Sequence, residues 1–154
     1  MTLIELMLAL MIVAIVSVAA ERLLAASLRT DTYLQQQNTA LSELEMTVRR
    51  LTHNLRTCQS LTSPAGTTAQ NSVTLVTQPD TSNGSTSYTV TYALVGTTLQ
   101  ETDTRYGTNT LVNNVSAFSV TRQTVASPVV LTITITISVK PQITRTFQVY
   151  CRNI

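Results

Sequence analysis

The sequence predicts an α+β protein: one very long N-terminal α-helix whose C-terminal half packs on an antiparallel β-sheet. Three observations carry that expectation. No proline occurs before Pro64 and no glycine before Gly66, so nothing breaks a helix over the first third of the chain. From Leu41 onward, Leu44, Val48, Leu51, Leu55 and Cys58 follow at steps of three and four, which is one apolar stripe on a helix. After residue 70 the pattern changes to alternation of aliphatic residues with Thr and Ser, the period of a strand with one wet face.

The first element is MTLIELMLALMIVAIVSVAA, in which Glu5 is the one charged residue. Its length suits a bilayer-spanning helix, about 20 residues at 1.5 Å each. A secretory signal would carry a basic front and a shorter apolar run. The expectation is therefore a chain processed to begin at Met1. Residues 1–25 read as a hydrophobic membrane or filament-core segment, and residues 26–154 as the globular domain. The helix continues to about residue 60, with Leu34 and the Leu41–Cys58 stripe inward and Glu43, Glu45, Arg49, Arg50 and Arg56 off it. Glu45 and Arg49 stand in the favourable i,i+4 order for an ion pair.

SPAGTTAQNS at 63–72 reads as a loop. Strands follow at 73–77, 87–95, in TTLQET after Gly96, at 115–123, 129–139 and 143–151. SNGS at 82–85, RYGTN at 105–109 and Lys140-Pro141-Gln142 read as turns or loops. In VVLTITITISV, Leu131, Ile133, Ile135, Ile137 and Val139 face one way and Thr and Ser the other. The sheet is expected over 73–151.

Composition narrows function. The net charge of +2 comes from scattered arginines and the single Lys140, so no basic patch marks a nucleic-acid partner. Ser and Thr make up 42 of the 154 residues, most of them after residue 60, which suits solvated sheet faces. His53 is the one histidine and lies beside the stripe. With no Gly-rich phosphate loop, no metal-ligand spacing and no nucleophile–base–acid set, the sequence predicts neither an enzyme nor a cofactor. Cys58, on the helix stripe, and Cys151, on the inward parity of the last strand, point at one interior. They read as a disulfide candidate, with two buried thiols as the alternative. Asn83-Gly84-Ser85 and Asn114-Val115-Ser116 match the N-glycan acceptor pattern, a short motif with many chance hits.

Thr2-Leu3-Ile4-Glu5 fits a capping box, in which Glu5 reaches back to its own helix end. An acid inside a long apolar run also suggests a functional role. With Met1 as a processed terminus, Glu5 could pair with the amine of a neighbouring parallel helix. On these residues the chain resembles bacterial type IV pilins and the pseudopilins of type II secretion. The Thr-Leu-Ile-Glu-Leu run and the apolar stretch behind it are specific over about 25 residues, and the helix-then-sheet order extends the likeness along the chain. The resemblance implies a pilin-like fold, cleavage by a prepilin peptidase ahead of Met1, and N-methylation there. It further implies that Glu5 receives a neighbour's N-terminal amine in a helical homopolymer.

The implied life history is an inner-membrane subunit that an assembly machinery moves into an extracellular pilus for adhesion, surface motility or DNA uptake. The alternatives are a minor pseudopilin in a periplasmic pseudopilus, or a membrane-anchored binding domain that never polymerises. Many major pilins place a glycine and a proline within the apolar half of the helix. Here those regions read Ala14 and Arg22. The stretch MTVRRLTHNLRT and the ending FQVYCRNI resemble the larger minor pilins and pseudopilins.

Overall fold

The computed structural model describes residues 2–77, 86–123 and 128–151. One helix, α1 (Leu3–Thr57), is followed by eight strands: β1 (Cys58–Ser63), β2 (Ser72–Thr77), β3 (Tyr88–Val95), β4 (Thr98–Asp103), β5 (Gly107–Val112), β6 (Val115–Arg122), β7 (Val129–Ile137) and β8 (Ile143–Cys151). The arrangement is the expected α+β one. The chain forms two compact units, Met1–Asn38 and Thr39–Ile154, dividing beyond the end of the apolar run.

In the first unit the helix runs unbroken through Ala14 and Arg22. Thr2 caps it. The Thr2 backbone N–H donates to Glu5 Oε2 at 2.9 Å, and the Leu6 N–H donates to the Thr2 carbonyl at 3.3 Å. This is the backward-reaching half of a capping box, satisfying a donor that the helix start would leave unpaired.

In the second unit, Ala40, Leu44, Thr47, Leu51 and Leu55 are the buried face of α1. Val48 packs at the edge of that face, whereas Leu34, in the first unit, is exposed. Ala40 and Thr47 extend the expected leucine stripe with small side chains. Helix geometry ends at Thr57, whose hydroxyl donates to the His53 carbonyl at 2.9 Å. Cys58 therefore begins a strand and is not on the helix. The reason is pairing: β1 runs antiparallel to β2, with Cys58 opposite Thr77 and Leu61 opposite Leu75.

The expected single sheet is two. β1 to β5 form a five-stranded antiparallel sheet in sequence order, and β6, β7 and β8 form a three-stranded one. Between them the chain makes a two-residue turn at Asn113-Asn114. Asn114 takes φ of 56°, a left-handed conformation that asparagine tolerates better than most residues. Its carbonyl accepts from the Ser138 N–H and hydroxyl at 2.8 and 2.9 Å. A second tie is the antiparallel bridge between Gln70 and Val120. RYGTN is also not all loop, because Gly107 opens β5, which pairs with β4.

One core joins the helix and both sheets. Val73, Leu75, Val90, Tyr92 and Leu99 come from the larger sheet, and Phe118, Val120, Leu131, Ile133, Ile135 and Val149 from the smaller. Thr77 is buried on the inward parity of β2, whereas other threonines lie on the opposite parity and pair across strands. Thr74 bonds Thr91, Thr102 bonds Thr108, Thr134 bonds Thr146 and Thr136 bonds Thr144, at 3.1–3.2 Å. Each such pair contributes a few tenths of a kcal/mol, roughly 0.2–1.

Candidate functional site

The first unit is an apolar helix open to its surroundings. Leu3, Ile4, Leu6, Met7, Leu8, Leu10, Met11, Ile12, Val13, Ile15, Val16 and Val18 are all exposed, as are Leu23, Leu24 and Leu28. The apolar residues go all the way round the helix. By length and composition this helix could cross a membrane. An apolar surface of this extent in water is unfavourable, so lipid or protein must cover it. Glu5 is the one acid in residues 3–20 of that surface, and Glu21 and Arg22 follow beyond it. One Glu5 oxygen caps the helix, but a carboxylate accepts several hydrogen bonds, so the cap does not exhaust it. The assembly position expected at Met1 lies outside the described residues, as do Asn83 and the SNGS turn.

The second unit carries a buried polar junction. Glu101 on β4 is 3% exposed. Arg50 of α1 holds it through Nη2 to Oε2 at 2.7 Å and Nε to Oε1 at 3.1 Å. The Tyr92 hydroxyl donates to Glu101 Oε1 at 2.7 Å and accepts from Asn54 Nδ2 at 2.6 Å. Two helix side chains, one turn apart, thus grip facing residues of β3 and β4, since Tyr92 and Glu101 are cross-strand partners. Burial, then the hydrogen bond to Glu101 and its charge, push the Tyr92 hydroxyl well above the ordinary phenol value. Every buried side-chain nitrogen or oxygen among the described residues has a partner. This is the condition under which a buried charge is tolerated.

None of these four residues was expected at a site. One signal was present: Glu101 shares the inward parity of Leu99, so its charge stood on an apolar face. The expected Glu45–Arg49 pair does not form. Both side chains instead line a groove of about 290 Å³ with Leu44, Val48, Arg145, Thr146 and Phe147. Among the described residues the second ion pair is Asp103–Arg105 at 3.0 Å, with the Arg105 guanidinium stacked on the rings of Tyr88 and Tyr106.

Cys58 and Cys151 are brought together. Both are free thiols, 0% and 1% exposed, within hydrogen-bonding reach of each other. Cys58 Sγ also lies 3.1 Å from the Leu55 carbonyl. His53 is exposed on α1, and its carbonyl receives the Thr57 hydroxyl. Asn114 is exposed at the turn between the sheets. Among the described residues, no three His, Cys, Asp or Glu side chains gather in a metal-holding group. No family model, curated protein or solved structure matches this chain.

Proposed function

We propose that this chain is a structural subunit of an extracellular type IV pilus-like filament, held in the membrane and then in the fibre by residues 3–28 of α1. The observation that carries the reading is the exposed, all-round apolar helix over residues 3–20, in which Glu5, beside the capped end, is the one acid. A membrane anchor that never assembles needs the apolar residues but gains nothing from the acid, which is unfavourable in lipid unless paired. A helix that leaves lipid to bundle with copies of itself needs both. Leucine, isoleucine and valine supply the contact, and Glu5 pairs with a positive group of the neighbour and sets the axial stagger. Where the chain is processed ahead of Met1, that positive group is the neighbour's N-terminal amine.

The expected work is adhesion, surface motility or DNA uptake, with force supplied by other proteins. The solvated threonine faces and a folded unit rich in hydrogen-bonded strands suit an outer fibre surface.

The test is Glu5→Ala in cells that display the chain on surface fibres. The proposal predicts membrane-inserted subunit at normal level and few or no fibres. Fibres of normal yield and geometry would overturn the role of Glu5. Mass spectrometry of the fibre subunit's N-terminus checks processing: a methylated Met1 agrees, and residues preceding it contradict the amine pairing.

A further inference from the structure

β1 and β8 are the outer strands of their respective sheets. Cys58 opens β1 opposite Thr77, and Cys151 ends β8 opposite Val129. The only two cysteines of the chain therefore stand on the open margins of two different sheets, yet they meet side by side in one core. Backbone ties between those sheets are few: the Gln70–Val120 bridge, and the Asn113-Asn114 turn with the hydrogen bonds at its two ends. An outer strand paired on one side is where a sheet frays or recruits another chain.

We propose that Cys58 and Cys151 form a disulfide that locks the outer strand of the five-stranded sheet to the outer strand of the three-stranded sheet. The proposal is independent of filament assembly. Both thiols are buried in that core, and the Cys58 thiol donates to the Leu55 carbonyl at 3.1 Å, so the bridge forms when a fraying outer strand exposes them.

The oxidant is an external disulfide, either glutathione disulfide or the active-site disulfide of a thiol oxidoreductase. Once exposed, one cysteine loses its proton to solvent and attacks one of the oxidant's sulfurs, the external S–S bond breaks, and one thiolate leaves. The other cysteine then gives its proton to solvent and attacks the protein sulfur of the mixed disulfide, and the second external thiolate leaves as the Cys58–Cys151 bond forms. Two cysteine thiols are oxidised and one external disulfide is reduced to two thiols. The ring so closed spans about 90 residues, a length at which cross-linking strongly restricts the unfolded chain.

The full chain in detergent, incubated with glutathione disulfide, alkylated in denaturant and digested without reductant, tests this. The expected product is one cross-linked peptide pair containing Cys58 and Cys151, with the intact chain lighter by two hydrogen atoms. Its urea midpoint should lie above that of the dithiothreitol-treated chain. Two fully alkylated cysteines, separate glutathione adducts on each, or cross-links between copies would overturn the bridge. A bridged chain with an unraised midpoint would overturn its locking role. The wild-type chain alone decides these points, whatever single-cysteine variants do.

Discussion

The two halves of α1 are one continuous helix in opposite situations. Over residues 3–28 the apolar side chains point in every direction and all are exposed. Over residues 40–55, Ala40, Leu44, Leu51 and Leu55 form a stripe that vanishes into a core shared with two sheets, while Met46, off the stripe, is exposed. The backbone is the same; what differs is the angular spread of hydrophobicity. A stripe is a request for one neighbour on one side, and the folded unit supplies it. An all-round apolar surface asks for neighbours on every side, which a single chain of this size does not provide. The polar groups differ likewise. Glu101, in the second half's territory, is held by three hydrogen bonds within the chain, whereas Glu5 has its own helix end and, in the proposal, a neighbour.

That contrast can be broken by mutation. The largest effect is expected at Leu51, which is fully buried. Leu51→Ala should destabilise the Thr39–Ile154 unit by about 2–5 kcal/mol, measured by urea unfolding of the full chain in detergent. Leu10→Ala should move the same midpoint by less than about 0.5 kcal/mol while lowering fibre yield. Equal effects on folding would erase the distinction between the halves.

Next comes the junction. Glu101→Gln keeps the shape but removes the charge that Arg50 grips, and it should cost about 1–3 kcal/mol. Glu5→Gln, the matching change in the first half, should leave unfolding unmoved and act on assembly. Tyr92→Phe should cost about 1–2 kcal/mol, because Asn54 and Glu101 each lose a buried partner. Tyr92 also sets an alkaline limit. Its folded value is raised above the ordinary 10.0, so the contribution is complete below that pH. It is lost as pH rises further and the unfolded tyrosine ionises first. Tyr92→Phe should flatten that part of the stability–pH curve.

Among the substitutions within the folded unit, the smallest effect is expected at Asp103. Burial pushes its carboxyl up, but the hydrogen bonds and charge of Arg105 outweigh burial and hold it below its ordinary value. This contribution is present above the unfolded value and is lost as pH falls through the folded one. Arg105 is partly exposed, so Asp103→Asn should cost less than about 1 kcal/mol and mute the acid limb of the curve.

Much of the fold was legible because period is a strong signal. The Leu41–Leu55 spacing and the alternation over Leu131–Ile137 identify a helix face and a strand face from single side chains. Three features were hidden for identifiable reasons. Cys58 continues the leucine spacing and no glycine or proline precedes Pro64, so only pairing with β2 shows where the helix yields to β1. β5 begins Gly-Thr-Asn-Thr, an exposed and polar margin strand with no alternation to read. The split into two sheets depends on which strands pair, and alternation within a strand carries no information about its partner. At the site, Glu5 stood out as a charge in an apolar run. Arg50, Asn54, Tyr92 and Glu101 did not, because they lie on separate elements and meet only in three dimensions.

The central claim is that residues 3–28 are covered by other copies of themselves. Helical reconstruction of purified surface fibres made of this chain tests it most directly. The claim predicts a fibre axis filled with packed α-helices traceable as residues 3–28, with Glu5 of one copy against a positive group of the next. An axis built from the sheets, or residues 3–28 facing detergent or lipid in every state of the chain, would contradict it.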